Sequence, residues 1–154
     1  GPQRGGPQRG GNLVRVVAFA PALTVTEDED GGVSASGFPM TSCFVSELPS
    51  DITVPMVIAV CALSGGEYDA VQYLIATGPD GERISAMEFR WNFDDVDDIP
   101  VKFRVFVQYL PLRICSTGIH TIGLYDSLGA TATEVQFPLP VHTYDPTTQG
   151  PGNF

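Results

Sequence analysis

The stretch Ala86-Met87-Glu88-Phe89-Arg90-Trp91-Asn92-Phe93 decides the fold class. Met87, Phe89, Trp91 and Phe93 alternate with Glu88, Arg90 and Asn92. Successive side chains of a β-strand point to opposite faces, so this pattern gives one apolar face and one polar face. A helix would need apolar residues three or four apart. The stretch is therefore read as a half-buried strand, with Trp91 in the core.

Working outward, the same grammar recurs. Val101, Phe103, Val105, Val107 and Tyr109 alternate with Lys102, Arg104 and Gln108. The odd residues are read as the core stripe, and the even ones as facing outward. Phe106 and Leu110 break that outward rule. As apolar residues on a polar face, they are the candidate surface for contact with another protein. Upstream, Met56 to Leu63 has no polar face, which predicts a central strand covered on both sides.

Leu13 to Ala20 is a nearly all-apolar run closed by Pro21, and Ala22 to Thr26 continues it. The acidic turn Glu27 to Gly32 then leads into Val33 to Gly37, the mark of a hairpin. Phe38 to Val45 is read as extended, and Val71 to Thr77 as a strand. Ser64-Gly65-Gly66 is read as a turn, and Gly78-Pro79-Asp80-Gly81 is a strong turn sequence. Gly118 to Tyr125 and Thr131 to Leu139 complete a terminal hairpin. Asp95 to Ile99 is the one place where a helical turn is expected.

Seven to nine short strands separated by turns predict an all-β, antiparallel sandwich of immunoglobulin-like or C2-like type. The sandwich spans residues 12–143. Residues 1–11 repeat Gly-Pro-Gln-Arg-Gly and offer no large apolar side chain, so a flexible tail is expected there. A second tail is expected over 144–154.

The opening run Val14 to Ala18 with the turn Asp30-Gly31-Gly32, the segment Gly78 to Glu82, and the closing set Pro111-Leu112, Gly118 to Ile122 and Tyr125-Asp126 carry a resemblance. In their order they resemble an uncharacterised family of short bacterial β-sandwich proteins common in actinobacteria. The resemblance spans Leu13 to Val141 and implies a sandwich fold, but no activity. His120 stands where that family often carries Tyr.

Composition narrows the function. Of 154 residues, 18 are acidic and 8 basic, for a net charge of −10. Lys102 is the single lysine, and the arginines are scattered. Nucleic acids and anionic membranes draw most of their affinity from clustered Lys and Arg, so neither is an expected partner. The longest apolar run, Pro55 to Leu63, is too short for a membrane helix. Cys43, Cys61 and Cys115 form an odd set, which favours reduced thiols and a cytoplasmic location over a disulfide framework.

Candidate chemistry is sparse. Glu27 to Asp30 and Asp94, Asp95, Asp97 and Asp98 are acidic turns, yet neither has the Asp-x-Asp-x-Asp-Gly spacing of a dedicated calcium loop. They are read as solvated turns. Cys115 precedes His120, but no third, orienting group accompanies them, and His120 is in phase with the apolar Ile122 and Leu124. His142 lacks partners at zinc spacing. Gly32 to Gly37 matches a nucleophile elbow in letters only, because it joins strand to strand.

No catalytic residue, metal ligand or cofactor is therefore expected. The sequence predicts a non-catalytic interaction or structural module with a protein partner it does not specify. The alternative is a small-molecule-binding protein or minor enzyme using the sandwich interior or its end loops.

Overall fold

The computed structural model describes residues 14–63, 68–93 and 101–144. Every regular element among them is a strand: β1 Val14–Pro21, β2 Thr24–Glu27, β3 Val33–Ser36, β4 Cys43–Val45, β5 Ser50–Leu63, β6 Tyr68–Thr77, β7 Arg83–Phe93, β8 Val101–Ile114, β9 Gly118–Tyr125 and β10 Gln136–Thr143. The turn expected at Ser64 to Gly66, the helical turn at Asp95 to Ile99 and both proposed tails, apart from Tyr144, lie outside the described residues.

Two sheets face each other. One has the order β1-β5-β8, and the other β4-β10-β9-β6-β7. The core between them takes Met56, Ile58 and Val60 from β5, and Leu110, Leu112 and Ile114 from β8. Opposite lie Leu74 of β6, Phe89 and Trp91 of β7, Ile122 of β9 and Leu139 of β10. Core side chains of the two inner faces thus meet across one layer, the arrangement expected when each sheet has one apolar face.

The all-β reading holds, with two adjustments of detail. Ten strands form among the described residues, since β2, β3 and β4 are separate short pieces. The pairing is also mixed, because β4 lies parallel to β10. β2 and β3 pair as the expected hairpin, and the acidic turn between them is held by its own hydrogen bonds. The backbone N–H of Gly32 donates to Asp30 at 3.0 Å, and the Ser34 hydroxyl donates to Asp28 at 3.2 Å.

Gly78-Pro79-Asp80-Gly81 turns the chain as its composition demands. Gly81 has φ +87°, a left-handed conformation in which a Cβ is disfavoured, and its N–H donates to the Gly78 carbonyl at 3.0 Å.

The deciding stretch behaves as read. Phe89 and Trp91 are buried, while Glu88, Arg90 and Asn92 are exposed. The Trp91 indole N–H donates to the Gln72 side-chain oxygen at 2.9 Å, so burial leaves its polar atom satisfied. The native emission of this single tryptophan is expected to be blue-shifted and to redden only on global unfolding. A red-shifted native spectrum would contradict the burial.

β8 overturns its assignment. Directly paired residues of an antiparallel ladder share a face, and β8 pairs with β5 in an unbroken register. Val54 faces Leu110, Ile58 faces Phe106 and Ile52 faces Leu112. Since the even residues of β5 are core, the even residues of β8 are too. Leu110 is fully buried, and Phe106 packs on the core with its ring 5.3 Å from that of Phe89. The outward surface expected at Phe106 and Leu110 is therefore an inward one.

The charges on that even row explain the misreading. Lys102 is buried, whereas Arg104 lays its guanidinium 5.0 Å from the Phe106 ring centre and reaches the Asn92 carbonyl at 3.2 Å. A long basic side chain can cover apolar surface while its head leaves the core margin. β8 also runs on to Ile114, and its second half, Leu110, Leu112 and Ile114 against Pro111 and Arg113, fixes the phase.

Candidate surface on the three-stranded sheet

Inverting β8 moves its odd row to the outside. Phe103 is 66% exposed and Tyr109 54%, with Val101 and Val105 also exposed. In the ladder Phe103 lies beside Cys61, Val105 beside Ala59, Val107 beside Val57 and Tyr109 beside Pro55. β1 continues the same surface, because Arg15 pairs with Cys61, Ala18 with Ala59 and Ala20 with Val57. The register slips between Val16 and Ala18, which accommodates the extra residue Val17, itself 50% exposed.

The expectation that Met56 to Leu63 is covered on both sides is thus half met. Its even residues lie in the core, while its odd residues line this outer face. Val57 and Cys61 are low on it, flanked by larger neighbours on β8.

The result is an apolar sheet face that polar residues would ordinarily occupy. The other sheet supplies the contrast, since β7 presents the exposed Glu88 and Arg90, 3.6 Å apart, to solvent. Isolated exposed apolar residues are commonplace; here Phe103, Val105 and Tyr109 are exposed along one row of β8, with Val17 exposed on β1. Phe106 and Leu110, expected on an outward surface, lie on the inward row of β8.

The remaining candidates stay apart. Cys115 is exposed, whereas His120 is buried with Nδ1 3.1 Å from the Gly118 carbonyl, and no hydrogen bond joins the two among the described residues. His120 faces inward, as its phase predicts. Burial pushes the Cys43 thiol up, away from the reactive thiolate. His142 is exposed and stands near the Phe44 ring, with centroids 5.6 Å apart. No group of three or more His, Cys, Asp or Glu side chains converges as a metal site among the described residues. No helix among them is long and apolar enough to cross a membrane.

A cleft of about 460 Å³ opens where the β5 and β8 ends approach β7, lined in part by Asp51, Thr53, Ser85, Leu112 and Arg113. Its charged groups already satisfy one another, because Arg113 donates to both carboxylate oxygens of Asp51 at 3.0 Å.

No family model matches the chain, and no curated protein matches it. Among solved structures it is similar to a β-glucosidase from Listeria innocua crystallised with isofagomine, at 9% identity and a TM-score of 0.43. That match covers 86% of this chain and 16% of the other.

Proposed function

We propose that the chain is a non-catalytic interaction module, built on an immunoglobulin-like sandwich, that docks through the outer face of its three-stranded sheet. The observation that carries this reading is the exposure of Phe103, Val105 and Tyr109 in one row beside Ala59 and Val57. Large aromatic side chains are the usual anchors of protein interfaces. Burying them against a partner removes apolar surface from water at about 25 cal/mol per Å².

The test compares the full chain with a Phe103→Ser, Tyr109→Ser variant in affinity capture from cells. Both residues point away from the core, so the variant is expected to fold. Partners lost only from the variant support the reading, and an unchanged set overturns it.

The cleft beside Asp51 and Arg113 favours a second reading, the binding of a small polar molecule. Its volume exceeds the roughly 300 Å³ at which ligand pockets begin. A ligand protected by Arg113 would be lost in Arg113→Ala but retained in the Phe103→Ser, Tyr109→Ser variant.

A further inference from the structure

We infer that the outer edge of β7 is a self-association site, where two copies of this chain pair β7 with β7 antiparallel about a two-fold axis at Phe89. The inference goes beyond the docking face proposed above and uses none of its residues.

Edge protection is the first argument. A strand at the edge of a sheet invites another strand, and proteins blunt such edges with short length, bulges, proline or inward-pointing charge. The two facing sheets end on β1 and β8, and on β4 and β7. β4 has three residues, while β1 carries the slip at Val17 and closes on Pro21. β8 places Lys102 and Arg104 on its inner row and holds Pro111. β7 has none of these devices from Ser85 to Asn92, and its register with β6 is unbroken there. Among the described residues, no strand pairs with its outer side.

Backbone direction is the second. The Leu124 N–H donates to the Val135 carbonyl at 2.9 Å, so Gly123 and Tyr125 on either side turn their backbone groups toward β6. They face Ile75 and Tyr73, which leaves Leu74 and Gln72 to bond Met87 and Phe89 of β7. The N–H and C=O groups of Ala86, Glu88, Arg90 and Asn92 therefore point to the outer edge. The Asn92 carbonyl agrees, since the Arg104 guanidinium of the other sheet reaches it at 3.2 Å.

Charge order is the third, and it names the occupant. A strand bonded antiparallel to these groups by its own copy must set even residues against even ones. With the axis at Phe89, Glu88 of each copy lies opposite Arg90 of the other, and Ala86 opposite Asn92. Glu88-Phe89-Arg90 is thus self-complementary across a two-fold axis. An axis at Glu88 or at Arg90 would set like charge on like. Both side chains are exposed and 3.6 Å apart in one copy, so pairing closes a square of four alternating charges. On the inner row the same register sets Phe89 against Phe89 and Met87 against Trp91, so the core side of the joint is apolar. Arg104 bonds at Asn92, away from the axis, which keeps it roughly 20 Å from its own copy. The result joins the two five-stranded sheets edge to edge. Few main-chain bonds hold it, so the dimer is expected to be transient, with a dissociation constant on the order of 100 μM.

Sedimentation equilibrium of the full chain from about 10 to 500 μM reads the association. Wild type is expected to pass reversibly from monomer to dimer. Glu88→Arg sets arginine against arginine and should weaken the dimer roughly tenfold, with unchanged circular dichroism. Glu88→Arg combined with Arg90→Glu exchanges the charges and should restore it. Amide exchange on wild type needs no variant: the Glu88 and Arg90 N–H groups should exchange more slowly as concentration rises through the transition. A chain that stays monomeric, exchange at these amides that ignores concentration, or a double variant no tighter than Glu88→Arg would each overturn the inference. So would a dimer that Glu88→Arg retains and Phe103→Ser, Tyr109→Ser loses, which would assign association to the sheet face instead.

Discussion

Replacing Trp91 by alanine is expected to lower the unfolding free energy by about 3–5 kcal/mol, the cost of deleting a buried aromatic and leaving a cavity. Trp91 is 6% exposed and its ring centre lies 6.2 Å from that of Phe106, so both sheets contribute to its surroundings. The substitution also removes the donor to Gln72, although Gln72 keeps a bond from its own amide to Asp126 at 3.1 Å. Urea unfolding followed by circular dichroism measures the loss. A change below about 1 kcal/mol, the range of surface substitutions, would mean the indole is not core.

The second large effect separates the two rows of β8. Leu110→Ser should cost about 3–5 kcal/mol, because it leaves a cavity and buries a hydroxyl where Leu110 has no exposure. Phe103→Ser, on the opposite row, should change stability by no more than about 1 kcal/mol. The same unfolding experiment reads both. The reverse order of sensitivities would restore the outward face to Phe106 and Leu110.

Much of the fold was legible because β7 and the β2–β3 hairpin obey local rules. The polar Glu88, Arg90 and Asn92 leave β7 only one apolar face, and Gly31-Gly32 marks the hairpin turn plainly. β8 was not legible from Val101 to Tyr109, where both rows carry apolar residues. Its facing is set by pairing with β5, a long-range contact that no local period records. Basic residues on the inner row deepened the error, because Arg104 escapes the core by its length while Lys102 does not escape at all. β5 misled in a milder way: an all-apolar strand reads as covered twice, yet one of its faces here is bordered only by other apolar rows. The apolar excess on β8 was thus visible in the sequence, and its direction was not.

The central claim is that the odd row of β8 is outside and apolar while the even row is inside. Thiol labelling of the native full chain, read by intact mass, tests it most directly. Wild type should take up one label quickly, at the exposed Cys115, while the buried Cys43 and Cys61 react slowly. Phe103→Cys should gain a second fast label, and Leu110→Cys should gain none until the chain unfolds. Fast labelling of Leu110→Cys together with protection of Phe103→Cys would contradict the account.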